Sequence, residues 1–508
     1  MQIASYEYIV TLSIYFLIIF ALCYFANKRT RDLSDYVLGH RSLSGPIVAL
    51  GAGASDMSGW LLLALPGAVF VHGLNQIWMP IGLLCGAYLN WRLVSPRLRA
   101  YTEIANNALT IPAYFDNRFH DTTRVLRLVT AAAILIFFTV YASAGFVSGA
   151  LLFESAFHLS YHTALWISAV FVIIYTAFGG FLAISWIDFF QGSLMFFALI
   201  ITPLYTSHHM GGWHKAFHQL MPLGAGYLQP LHGMTTIGLL SLLGWGLGYF
   251  GQPHILVRFM AIRSVKELPT AWRICMSWMF IGLVGAVVTG LVGHAYYTRG
   301  LLHPEGTFLL LAKSMFLPWV TGILLAAVLS AIMSSSSAQL LISSSALTED
   351  MFHRFLRRRA SQSELVFISR LMVGAIALVA IGLAYNPKNS ILELVSYAWG
   401  GLGAAFGPVI LGSLFWRRMT RMGAISGIAV GALTAIVWKS VLSHYGGVFA
   451  IYEIIPGALL ATFSIITVSL LGSAPSEQIC CEFDQARANV QGEKPSNTDL
   501  VYPDIKNN

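Results

Sequence analysis

Asp56 is the residue whose surroundings most demand a chemical explanation. It stands in Gly51-Ala-Gly-Ala-Ser-Asp-Met-Ser-Gly-Trp60, with three glycines about it, inside a stretch otherwise apolar enough to span a membrane. A carboxylate at mid-membrane costs at least about 2.5–3.5 kcal/mol and persists only beside a partner, an ion or a wet cavity. Glycines let the helix unwind there, which hydrocarbon tolerates only where protein or cavity water satisfies the backbone. The expectation is a broken helix whose freed carbonyls hold a cation and whose helix end receives a small anionic group.

A second set of oxygens lies in Ala331-Ile-Met-Ser-Ser-Ser-Ser-Ala338. Ala331, Ser334 and Ser335 are spaced i, i+3 and i+4, one face of one helical turn. Two hydroxyls and a carbonyl on that face suit a hard cation, and the lack of a dense carboxylate cluster favours a monovalent one. The competing reading is hydrogen bonding between helices, since membrane serines often bond to neighbouring backbone. Trp245, Tyr249 and Pro253 follow one another along a helix face within Gly244-Trp-Gly-Leu-Gly-Tyr-Phe-Gly-Gln-Pro253; Trp60 is i+4 from Asp56, and Tyr141 lies in another span. Beside the glycine-rich segments these aromatics are candidates for a small-solute cage. Asp188 either relays an ion towards the cytoplasm or reaches the interface with no further role. Glu393 reads as a residue at the mouth of the site.

The chain has 508 residues, 56% hydrophobic and 10% charged, too apolar for a soluble globule. Apolar stretches of about 20 residues place thirteen helices near 7–26, 46–70, 74–96, 128–155, 162–180, 187–204, 235–256, 275–296, 315–347, 367–384, 391–414, 422–440 and 450–472. These form one transmembrane domain, 1–473, in which 46–204 and 235–414 are inverted repeats: the two glycine-rich segments lie five helices apart. Glycine-mediated helix packing is the alternative account of those segments. The first helix is no signal peptide, because Asn27-Lys-Arg-Thr-Arg31 stands where a cleavage site would lie. The net charge of +8 reflects topology rather than nucleic acid: alternate loops carry the arginines, Arg258 and Arg263 among them, which puts the N-terminus outside and the C-terminus in the cytoplasm. The polar segment 474–508 reads as a mobile cytoplasmic tail, too short for a catalytic or signalling domain. Cys480 and Cys481 fall in it, and no disulfide framework is indicated. His208, His209, His214, His218 and His232 read as a solvated external loop. No nucleophile–base pair or metal motif points to an enzyme.

The runs Ala52–Leu62, Leu65-Pro-Gly-Ala-Val69, Gly179-Gly-Phe-Leu-Ala183, Gly244–His254 and Val395-Ser-Tyr-Ala-Trp399 together resemble the bacterial solute:sodium symporter family over roughly 7–475, although the loop near 297–312 looks shorter than in that family. The resemblance implies an all-α polytopic membrane protein of thirteen helices with a five-plus-five, leucine-transporter-like fold and two broken helices. It also implies import of L-proline with sodium, by alternating access across the bacterial inner membrane; the residues leave the oligomeric state open, a monomer being sufficient. It assigns the sodium site to the carbonyls of Ala54 and Met57 with Ala331, Ser334 and Ser335, the last often threonine in the family. Asp56 and Asp188 become ion-coupling carboxylates. Ser58, Gly59, Trp60, Tyr141, Trp245, Tyr249 and Pro253 become the substrate pocket.

Overall fold

A computed structural model describes residues 6–28, 33–221, 224, 226–357, 359–387 and 389–491. The described residues are all-α, with one isolated parallel bridge between Leu43 and Ile262. Among the described residues ten helices are long and apolar enough to cross a membrane, against thirteen expected. Three places separate the numbers. The spans expected at 162–180 and 187–204 form one 49-residue helix, bent at Gly180 (φ 64°). Those at 46–70 and 74–96 run into each other from Trp60 to Ile104, and the one at 235–256 is interrupted, leaving a short apolar helix, Thr236–Gly251.

We label the helices that position the site α1 (Tyr6–Asn27), α2 (Gly45–Asp56), α3 (Leu65–His72), α4 (Trp78–Leu89), α5 (Ser95–Ile104), α6 (Ile111–Arg118), α7 (Val125–Phe157), α8 (Tyr161–His209), α9 (Thr236–Gly244), α10 (Pro253–Ala261), α11 (Leu268–Tyr296), α12 (Pro318–Ser345), α13 (Gln362–Ala384), α14 (Ile391–Phe415), α15 (Arg421–Ser440), α16 (Ile454–Leu471) and α17 (Glu477–Gln491). Burial separates centre from rim. The span containing α12 is 89% buried, whereas α1 and α16 are each 28% buried and turn most of their apolar surface outward. Residues 51–67 are buried throughout.

Local chemistry sets the element ends. Pro46 opens α2, where its missing N–H costs nothing. The Gly45 N–H is met from another element, by Glu267 Oε2 at 2.6 Å, a carboxylate at the positive helix end. Glu393 closes a capping box with Ser390 at the start of α14. The bridge at Leu43 and Ile262 ties the entrance of α2 to the exit of α10, with Arg263 N–H donating to the Leu43 carbonyl at 2.9 Å.

The segment expected to be a mobile tail from 474 onward differs over Glu477–Gln491, which is helical. Ile479, Phe483 and Ala486 recur at i, i+4 and i+7 and are buried, a helical stripe that the polar composition conceals. Phe483 covers the guanidinium of the buried Arg118 at 5.3 Å. Glu482 bonds His120 at 3.0 Å and Asp484 pairs with Arg417 at 3.0 Å. Residues 492–508 lie outside the described ones.

A close backbone crossing joins α4 to the stretch Trp245–Gly251. A Cβ on Gly86 would stand 2.1 Å from the Gly246 carbonyl oxygen, and one on Gly246 would stand 2.2 Å from that of Gly82. Backbone cannot yield as a side chain can. Gly246→Ala is therefore expected to destabilise the protein by about 1–3 kcal/mol or more, read as a lower melting temperature in detergent. Gly374→Ala, which meets open space, should stay within about 0.5 kcal/mol of the parent.

Candidate functional site

The first break lies just after Asp56. Met57 leaves the helix at φ −80°, ψ 73°, and the Ser58 N–H turns back to the Asp56 carbonyl at 2.9 Å, an inverse γ-turn. The Leu61 N–H goes to the Ser58 carbonyl at 3.0 Å. In an unbroken helix Ser58 and Leu61 would pair with the carbonyls of Ala54 and Met57. Both carbonyls thus lose their regular donors, at a depth where Ala54 and Met57 are wholly buried. Such oxygens can coordinate a cation.

Serine-rich α12 and the bent α8 close around this break. A Cβ on Gly59 would meet Ser148 at 2.9 Å and Ile332 at 3.1 Å, and one on Gly192 would meet the Ala54 Cβ at 3.3 Å. One turn before Gly192 is Asp188. Its Oδ1 accepts from the Ser334 hydroxyl at 2.5 Å, and its Oδ2 pairs with Arg258. Arg258 also donates to Ser185 at 2.8 Å and lies 5.0 Å over the Phe181 ring. The Ser335 hydroxyl donates back to the Ala331 carbonyl at 2.9 Å. Hydroxyls that donate in this way keep lone pairs for a cation. The residues that could hold one are therefore Ala54 and Met57 through carbonyls, Ala331 likewise, and Ser334 and Ser335 through hydroxyls.

Asp188 is buried and does not reach the interface. Arg258, read from sequence as a loop charge, is 1% exposed and belongs to α10. Its sequence signal was available: a cation within an interrupted apolar segment calls for the reasoning applied to Asp56.

The second break has another form. After α9 the chain tightens into a 3-10 helix from Trp245 to Gly251 and opens at Gln252 (φ −89°, ψ 106°), and Pro253 then starts α10. Tyr249 donates its hydroxyl to Asp56 Oδ2, linking the two breaks directly. Trp60 lies 6.3 Å from Trp245, which lies 6.4 Å from Trp399, and Tyr249 meets Trp399 edge-on at 5.1 Å. Trp399 donates its indole N–H to the Trp245 carbonyl at 2.8 Å, while Gly248 leaves room for that ring. Asn90 holds the Tyr249 carbonyl at 2.9 Å, and Gln252 donates to the Trp399 carbonyl at 3.1 Å. Tyr141 is buried, its hydroxyl beside Ser58 and Trp60.

The structure thus brings Asp56, Trp60, Trp245 and Tyr249 into one buried cluster with Trp399. Ser58 and Gly59 sit in the first break, and Pro253 opens the helix after the second. No group of three or more His, Cys, Asp or Glu residues able to hold a metal occurs among the described residues, so the external histidines gather into no such site.

A sequence model of the sodium:solute symporter family matches residues 36–431. The chain is 49% identical over 498 residues to the sodium/proline symporter of Escherichia coli strain K12, covering 96% of this chain and 98% of that protein. It is 52% identical over 465 residues to the high-affinity proline transporter PutP of Bacillus subtilis strain 168, covering 91% and 97%. Among solved structures it resembles the substrate-bound outward-open state of a Na+-coupled sialic acid symporter (TM-score 0.79, 17% identity, 93% and 99% of the chains). It also resembles MhsT in complex with L-phenylalanine (TM-score 0.54, 15% identity, 84% and 97%). The leucine-transporter-like fold expected from the sequence is the one these neighbours share.

Breaking the Asp188–Arg258 pair from one side leaves a buried charge uncompensated. Arg258→Met is expected to lower stability by about 3–5 kcal/mol, and adding Asp188→Asn should recover most of that loss. Melting temperatures of the single and double variants in detergent check it.

Proposed function

The chain belongs to the sodium:solute symporter family, and on that premise we propose that it imports L-proline together with sodium across the bacterial cytoplasmic membrane by alternating access. It does so by transport alone, without catalysis. The observation that carries this reading is the turn at Met57–Ser58, which diverts the Ala54 and Met57 carbonyls from their helical donors beside Ser334 and Asp188. Relatives nearly half identical over almost the whole chain are named as sodium/proline symporters, which supports proline as the solute.

Sodium lies between the first break and α12, held by Ala54, Met57, Ala331, Ser334 and Ser335. It favours the arrangement in which these elements are closed together. Proline occupies the aromatic cluster beside it, lined by Ser58, Gly59, Trp60, Tyr141, Trp245, Tyr249 and Pro253. Its flat ring meets tryptophan and tyrosine faces, which also attract its ammonium by roughly 0.5–2 kcal/mol. The Tyr249–Asp56 bond connects the substrate side to the break, and the Ser334–Asp188–Arg258 chain connects α12, α8 and α10. By linkage, each solute tightens the other by one factor. The membrane potential adds about 2.3 kcal/mol per charge per 100 mV to inward movement.

We further propose thirteen crossings, with the N-terminus outside and the C-terminus in the cytoplasm. The docking of α17 onto His120 and Arg417 places the C-terminal segment on the basic side of the molecule, which supports that orientation. All the proposed ligands come from one chain, so a monomer suffices.

The defining test is uptake of labelled L-proline into proteoliposomes, expected to require an inward sodium gradient. Uptake that ignores sodium and follows pH would overturn the coupling, and failure of unlabelled L-proline to compete would overturn the substrate. Ser334→Ala should raise the sodium concentration for half-maximal uptake about tenfold or more while leaving the preference among competing solutes intact. Trp245→Ala should relax that preference and weaken proline with little change in sodium dependence. Equal effects of the two on both measures would contradict the division of roles.

A further inference from the structure

His254 is the second residue of α10, in the first turn after the second break. It is 1% exposed, and neither Nδ1 nor Nε2 has a hydrogen-bond partner. Its ring meets Phe138 edge-on at 5.5 Å and Tyr141 at 6.2 Å, both on α7. A buried imidazole with two unpartnered nitrogens is destabilising unless something else satisfies it. Its neighbours share the condition. Asp56 Oδ1 and Gln252 Oε1 are also buried and without partners, and the Tyr141 hydroxyl lies beside Ser58 and Trp60 of the first break.

These atoms are chemically sorted. Asp56 Oδ1 can only accept, once ionised, whereas an imidazole N–H and a phenol can donate. His254 also stands at the start of a helix, where the macrodipole favours negative charge, although the Ile255 and Leu256 N–H groups are already taken by the Gln252 carbonyl. A zwitterion with one cationic and one carboxylate end satisfies both kinds of group at once. Building on the transport reading above, we infer that His254 binds the carboxylate of the imported imino acid while Asp56 Oδ1 takes its ammonium, making His254 a determinant of selectivity for the free acid.

The test measures inhibition of labelled L-proline uptake in proteoliposomes by L-proline and by L-prolinamide, which keeps the ring and ammonium but lacks the carboxylate. In His254→Phe, which keeps the ring against Phe138 and Tyr141 but removes both nitrogens, apparent affinity for proline should fall about 10- to 100-fold. Affinity for prolinamide should move less than about 3-fold. His254→Gln, with an amide donor, should restore part of the preference. An equal loss for both solutes, or an unchanged ratio, overturns the inference. If His254→Phe does not accumulate in the membrane, the same ratio is read in His254→Leu with the same criteria. A parent protein that takes up no proline would instead defeat the transport reading, so the two failures are distinct.

Discussion

Hydrocarbon offers no hydrogen bonds, so every backbone carbonyl within a membrane must find its partner in the protein or in what the protein binds. The turn at Met57–Ser58 departs from helical pairing under that constraint, and the surrounding architecture answers to it. The serines of α12, the stretch of α8 from Asp188 to Gly192 and the acidic side chains at 56 and 188 all converge near the two carbonyls it diverts. A cation is the simplest species that satisfies oxygen atoms supplied without donors.

Around that turn the polar groups divide into two systems that share few members. Asp188, Arg258, Ser185 and Ser334 form a buried network joining three helices. Its geometry depends on full pairing, because either charge alone would be costly at this depth. Asp56 and Tyr249 form the second, which continues through Trp399, Trp245 and Trp60. The first has the character of a joint between helices. The second has the character of a slot, with flat rings and several polar atoms left over for a ligand.

Much of this was legible in the residue order. Asp56 among glycines, the i, i+3, i+4 oxygens at Ala331, Ser334 and Ser335, and the aromatic face at Trp245 and Tyr249 each carry a local signal, because helical periodicity and the cost of polarity in lipid act over a few residues. What escaped reading depends on contacts between distant segments. Arg258 looks like any positive charge near a helix end until Asp188 is found across from it, 70 residues away in sequence. The stripe Ile479, Phe483, Ala486 is too short to stand out in a polar segment, and its meaning comes from Arg118 and Tyr101 beneath it. The helix count differs because length and hydropathy do not register a bend such as Gly180 or an interruption such as Gln252.

The central claim is that the diverted carbonyls grip a monovalent cation. It is met most directly by anomalous scattering from thallium(I), a stand-in for sodium, in crystals of the protein with substrate. A peak bounded by the carbonyls of Ala54 and Met57 and by residues 331, 334 and 335, reduced by competing sodium, is the predicted result. A peak elsewhere, with regular helical bonding through residues 54–61 and uptake still driven by sodium, would contradict it.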